Sequence, residues 1–175
     1  MQNEKNITKN LSGLTAEEST KLIELERSVA LDDARPHITK NFLSFVKYVW
    51  PEFIEGSHHK IINKKFNDLA QGKIKRLIIN MPPRHTKSEF ASYLLPAWMI
   101  GNNPKLKIIQ ATHTADLAID FGRKTKNLVD QGNYRELFDT RLQEDSQAAG
   151  KWKTEQGGEY FAAGVGGAIT GRGAD

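Results

Sequence analysis

The chain has 175 residues, 38% of them hydrophobic and 26% charged, with no cysteine and a formal net charge of +4. That size and balance suit one globular domain with a short extension and exclude wholesale disorder. The absence of cysteine excludes a disulfide scaffold, a cysteine nucleophile and thiolate metal ligation. The longest near-apolar stretch, Phe90 to Ile100, is about half of what a bilayer span needs. Met1–Ser12 is polar, with no signal-type segment. A soluble, intracellular protein without membrane contact is expected, so Asn6-Ile7-Thr8 and Asn10-Leu11-Ser12 match the glycosylation pattern by chance. Residues 1–35 and 131–175 each carry net −2, whereas residues 36–130 carry net +8. A basic middle fits a polyanionic partner and equally a lysine-rich solvated face, and charge alone does not decide between them.

Thr15-Ala-Glu-Glu18 reads as a capping box, opening a helix over about 15–31 that carries Leu22, Ile23, Leu25 and Val29 and stops before Arg35-Pro36. A second helix is expected over roughly 39–49, with Phe42, Phe45, Val46 and Val49 inward and Pro51 as its stop. A third, about 58–71, is capped by Ser57, turns Ile61, Ile62, Phe66 and Leu69 to a core, and ends at Gly72. Arg76–Asn80 then reads as a strand buried on both faces. Residues 87–100 read as helix, interrupted at Pro96 and closed by Gly101-Asn-Asn-Pro104. Leu106–Ala111 is a second buried strand, and Thr114 caps a helix to about 129 through Ala118, Phe121 and Leu128. Strand-like pieces follow at about 151–155, 159–164 and 167–170, with a hairpin turn at Gly157-Gly158. This order implies an α/β fold with a parallel sheet flanked by helices.

The chemistry concentrates in Met81-Pro82-Pro83-Arg84-His85-Thr86-Lys87-Ser88, between the first expected strand and its helix. A phosphate-binding loop reads GxxxxGK(S/T) in that context. Lys87 and Ser88 sit where the pattern wants them, but Met81 and Thr86 occupy its two glycine positions. Free N–H groups and the helix dipole would still attract phosphate. Lys87 would neutralise β/γ oxygens, the Ser88 hydroxyl would ligate Mg²⁺, and Arg84 would add a second cation. If the loop needs φ > 0 at Thr86, a β-branched residue there costs about 1–2 kcal/mol. The plainer alternative is that Pro-Pro ends a strand and Lys-Ser starts a helix.

The runs LIINMPPRHTKSEFASYLLPAWMIGNNP, KIIQATHTADLAIDFGRKTKNLV and GGEYFAAGVGGAITGRGAD together resemble the ATPase domain of the large terminase subunit of tailed phages, over about residues 40–175. The family's loop is typically PPR-x-G-K-S, so Thr86 is a departure. The resemblance implies a P-loop NTPase (RecA/ASCE-like) fold over 36–175 with an N-terminal helical extension over 1–35. It further implies ATP and Mg²⁺ as cofactors, with Pro83, Arg84, His85, Thr86, Lys87 and Ser88 around the nucleotide. Arg172 resembles the family's arginine finger, with local pairing or DNA contact as alternatives. The implied function is ATP-driven packaging of double-stranded DNA into proheads, in the cytoplasm of the infected or lysogenic bacterial host. The implied partners are a portal protein, a small terminase subunit and further copies in a homo-oligomeric ring. The family's acidic metal-binding strand would begin at Asp175 and its nuclease domain would lie beyond, so the domain is expected to be incomplete and poorly competent in turnover. A helicase-like DNA-dependent ATPase and a nucleotide-binding remnant without turnover are the alternatives.

The five histidines lack metal-ligand spacing, and Gly164–Ile169 fails the dinucleotide pattern, reading instead as glycine-rich strands packed closely. His58 and His59 lie where the family's adenine-side contacts arise, with satisfied helix-face histidines as the plainer reading. Trp50 and Trp98 are expected to plug the core. Arg123, Lys124 and Lys126 form a basic cluster, either DNA-facing or simply solvated.

Overall fold

The computed structural model describes residues 15–167 and 169–175. The two glycosylation-like triplets and Ala168, part of the expected strand at 167–170, lie outside the described residues. The chain divides into two compact units, residues 1–36 and 37–175.

Helix α1, Ala16–Lys40, opens on the expected capping box: Glu18 N–H donates to Thr15 Oγ1 (3.2 Å) and Thr15 N–H to Glu18 Oε2 (2.8 Å). It does not stop before Pro36 but runs through it. None of its residues is buried, and Ile23, Leu25 and Val29 are all more than half exposed.

In the larger unit, α2 (Phe42–Val49) and α3 (Ser57–Ala70) form an interlocked pair. The first-turn N–H groups of α2, which no helix can satisfy internally, are met by side chains. Asn41 Oδ1 accepts from Ser44, Asn63 Oδ1 from Leu43 (2.9 Å) and Asn67 Oδ1 from Phe42 (3.3 Å). The Phe42 ring stands edge-on to Phe66, Phe90 and Trp98 at 5.0, 5.3 and 5.7 Å, joining four segments in one apolar core. Two expectations for α3 fail. Ile61 is exposed, and Ser57 is the first helical residue, with Gly56 as the cap. Trp98 is buried as expected, whereas Trp50 is only half-buried, beside Phe53.

Arg76–Asn80 is not a strand. It is extended chain outside every ladder, with Leu77 and Ile79 half-buried and Ile78 87% exposed. From Lys87 the chain is helical to Asn102, first through a π-helical stretch, Glu89–Leu94, and then through α4, Leu95–Asn102. The π turn answers the expected interruption. Pro96 has no N–H and its ring crowds the carbonyl four residues back, and widening the ladder one residue earlier (Leu95 N–H to Phe90 O) lets the helix continue.

Strand β1 (Lys107–Thr112) leads to α5 (Ala115–Asp130) and the short α6 (Gly132–Leu137), followed by β2 (Leu142–Ala148), β3 (Lys151–Thr154) and β4 (Glu159–Gly164). The four-stranded sheet runs β1-β4-β3-β2, and only β1–β4 is parallel. The fold is therefore α/β with a mixed sheet flanked by helices, not the parallel sheet expected. Gly157, at φ +95°, makes the expected turn between antiparallel β3 and β4. Strand β1 is half-buried rather than buried on both faces. Trp152 lies flat on Tyr160 (5.0 Å, 2° between planes) and donates to Gly122 O (3.2 Å). Gly122 is required there, because a Cβ would meet Ala149 O at 2.5 Å. The expected close packing of bare backbone holds at Gly164, where a Cβ would come within 2.5 Å of Ala115 N.

Candidate functional site

Pro83–Thr86 forms a turn that delivers the chain into the helix starting at Lys87. Thr86 O accepts from Phe90 N–H (2.8 Å), so Thr86 caps that helix and the N–H groups of Thr86 to Glu89 have no partner within it. Two residues in this turn that are not glycine have positive φ, Arg84 at 62° and Thr86 at 61°. The left-handed region is the conformation the second glycine of a phosphate-binding loop supplies, and Thr86 occupies that glycine's place in the pattern. A left-handed residue leading into helical ones turns successive N–H groups to one side, a concavity suited to an anion.

The cations around the turn are free to meet such an anion. Arg84, Lys87 and Ser88 are exposed, and among the described residues neither Arg84 nor Lys87 makes an ion pair. His85 folds back, its Nδ1 donating to Pro83 O (2.9 Å). His59, expected on the helix face or at an adenine-side contact, faces the loop instead. It is 4% exposed, turned inward rather than on the helix face, and its Nε2 lies 2.8 Å from Thr86 Oγ1. No local sequence signal links two positions 27 apart, apart from the unusual placing of a histidine three residues after a glycine cap.

The remaining site residues lie elsewhere. Arg172 is committed within the chain, pairing with Glu159 Oε1 at 2.9 Å and stacking 3.8 Å above the Phe161 ring. Glu159 stands opposite Lys107 in the strand register, at the N-terminal end of the parallel strands, away from the end where α/β sheets hold ligands. Arg123 pairs with Asp120 (2.8 Å), and Lys124 bridges to Glu89 (3.0 Å) over the Tyr93 and Phe121 rings. Lys126 is half-buried, so this cluster is not an array of free lysines. At the far end of the loop's helix, Thr39, Trp98, Met99, Asn102 and Leu106 line a cavity of about 330 Å³.

Among the described residues no group of three or more histidines and carboxylates is placed to hold a metal ion, and no helix is long and apolar enough to cross a membrane. Compared with protein-family models, with curated proteins and with solved structures, the chain matches none.

Proposed function

We propose that Pro83–Ser88 binds the phosphates of a nucleotide, and that the chain is the N-terminal ATPase part of a phage large terminase with a P-loop NTPase fold. The observation that carries this reading is Thr86 at φ 61°, immediately before Lys87 and Ser88 at a helix N-terminus. A β-branched residue adopts that conformation at a cost, and such outliers cluster at ligand clamps. The N–H groups left without a partner in the helix, the helix dipole, and the exposed Arg84 and Lys87 cations, which make no ion pair among the described residues, all favour an anion at this turn. Arg84 and Lys87 bind and orient the phosphates by charge-assisted hydrogen bonds. With the Thr86 hydroxyl engaged by His59 and the His85 carbonyl, the exposed Ser88 hydroxyl is the one that would ligate Mg²⁺, so the metal would arrive with the nucleotide and supply charge neutralisation there.

The terminase part rests on the resemblance of the three sequence blocks. It brings ATP-driven translocation of double-stranded DNA, in a homo-oligomeric ring with a portal protein and a small subunit, inside a bacterial host. For the 175 residues themselves, binding without turnover is favoured by one observation. Strands β1 and β4 end in Thr112 and Gly164, so neither presents the carboxylate that a P-loop ATPase uses to hold Mg²⁺ and activate water.

Titration with a fluorescent ATP analogue and Mg²⁺ tests the reading. Saturable binding that Lys87→Ala weakens about tenfold to a hundredfold, the range for one charge-assisted contact, is expected. Equal affinity of the two proteins, or no binding by either, would overturn it.

A further inference from the structure

Thr86 needs something to hold it in the left-handed region, and the structure provides a single relay. The Gly56 amide can only donate, so the 2.8 Å contact from Gly56 N to His59 Nδ1 fixes Nδ1 as an acceptor. The neutral ring then carries its hydrogen on Nε2 and donates to Thr86 Oγ1 (2.8 Å). That hydroxyl spends its own hydrogen on the His85 carbonyl at 2.6 Å. All three bonds point the same way, from the cap of α3 into the loop, and each polarises the next.

The histidine is held in place by its surroundings. Its ring packs against Phe53 (4.7 Å), Phe90 (5.0 Å) and His58 (3.8 Å). The titratable groups facing it are His58 on its own helix, His85 on the loop and Glu55 in the preceding turn. Glu55 is itself engaged by Lys47 (2.5 Å) and Lys60 (3.8 Å). Burial, then the neighbouring His58, lower the tendency of His59 to take a proton, with His85 adding to this and Glu55 opposing it. A proton on Nδ1 would set two donors, Nδ1–H and Gly56 N–H, against each other and break the relay at its first link.

We infer that His59 is the positioning residue of the phosphate loop, holding Thr86 in the conformation a glycine adopts unaided, and that acid releases the loop by charging His59. The inference rests on the phosphate-binding reading for its ligand, but not for its geometry. The relay replaces a conformational freedom that the loop's sequence lacks, and it makes the binding form of the loop depend on pH where a glycine-containing loop would not.

A double-mutant cycle tests it on the full chain, with fluorescent ATP and Mg²⁺ at pH 7.5 and 5.5. His59→Ala is expected to weaken binding about tenfold with Thr86 present, the size of effect a left-handed residue other than glycine sets. It should change binding little in the Thr86→Gly background. His59→Gln, whose amide N–H can still reach Thr86 Oγ1, should retain most of the affinity and lose the pH dependence. Equal losses from His59→Ala in both backgrounds, or an unchanged pH profile in His59→Gln, would overturn the inference. Chemical denaturation of the four members of the cycle (the unsubstituted chain, His59→Ala, Thr86→Gly and the double variant) keeps the two readings distinguishable. If no variant binds nucleotide, the phosphate reading fails, and the relay then stands or falls on whether the stability loss from His59→Ala shrinks when residue 86 is glycine.

Discussion

Two short apolar runs, Arg76–Asn80 and Leu106–Ala111, carry the same pattern in sequence and reach different ends. The second becomes β1, whose residues 107–112 pair in parallel with 159–164 of β4. The first stays outside the sheet, its Ile78 side chain 87% exposed. A continuous run of branched apolar residues makes a segment competent to be a strand, but the ladder needs a partner edge. Strand β1 has one because the β3–β4 hairpin folds back onto it, locked by the Trp152–Tyr160 stack and the bare backbone of Gly158. A Cβ at Gly158 would sit 2.4 Å from Pro104 O. Among the described residues the run before the loop pairs with no strand, and the turn after it is tied to α3 by the hydrogen bond between His59 and Thr86.

The contrast is broken most forcefully at the sheet. Trp152→Ala removes a fully buried ring, its stack on Tyr160 and its bond to Gly122 O. A loss of about 3–5 kcal/mol is expected by urea unfolding, enough to threaten the fold. A loss under about 1 kcal/mol would mean that the hairpin does not organise β1.

A smaller effect should come from pH. His59 in the folded chain resists protonation relative to its ordinary value of 6.5, so below that value the unfolded chain binds more protons. Stability from this group is therefore complete above about pH 6.5 and falls as the pH drops toward the lower folded-state value. His59→Gln should flatten that fall in denaturation midpoints between pH 7 and 5. Amide exchange should show the loop and α3 opening before β1 and β4 do. Simultaneous opening would erase the distinction between the regions.

The smallest effect is expected on the unpaired run itself. Ile78→Ser should change stability by less than about 0.5 kcal/mol, as for other exposed positions. Ile109, half-buried in β1, should tolerate the same change less well. A reversed order would place Arg76–Asn80 inside a packed sheet.

Much of this arrangement could be read from the sequence where local chemistry decides it. The Thr15–Glu18 capping box, the Thr114 cap that accepts from Leu117 N–H, the core face of α5 and the Gly157 turn all follow from nearby residues. Readings that depended on distant partners failed. The polar run 142–148 forms β2, and the sheet is mixed because β2, β3 and β4 pair antiparallel in succession while β4 meets β1 in parallel. One local signal also misleads, since Pro36 lies inside α1 and does not end it. At the site, Lys87, Ser88 and the anomaly at Thr86 were legible. The histidine that answers the anomaly was not, because it lies 27 residues upstream and only tertiary packing brings it to the loop.

The most direct measurement is an amide ¹⁵N–¹H spectrum of the chain titrated with ATP and Mg²⁺. If Pro83–Ser88 cradles phosphate, the amides of Thr86, Lys87, Ser88 and Glu89 should move first and furthest, and inorganic triphosphate should move the same set. Shifts confined to the cavity beside Trp98, or no shifts at saturating nucleotide, would contradict the account.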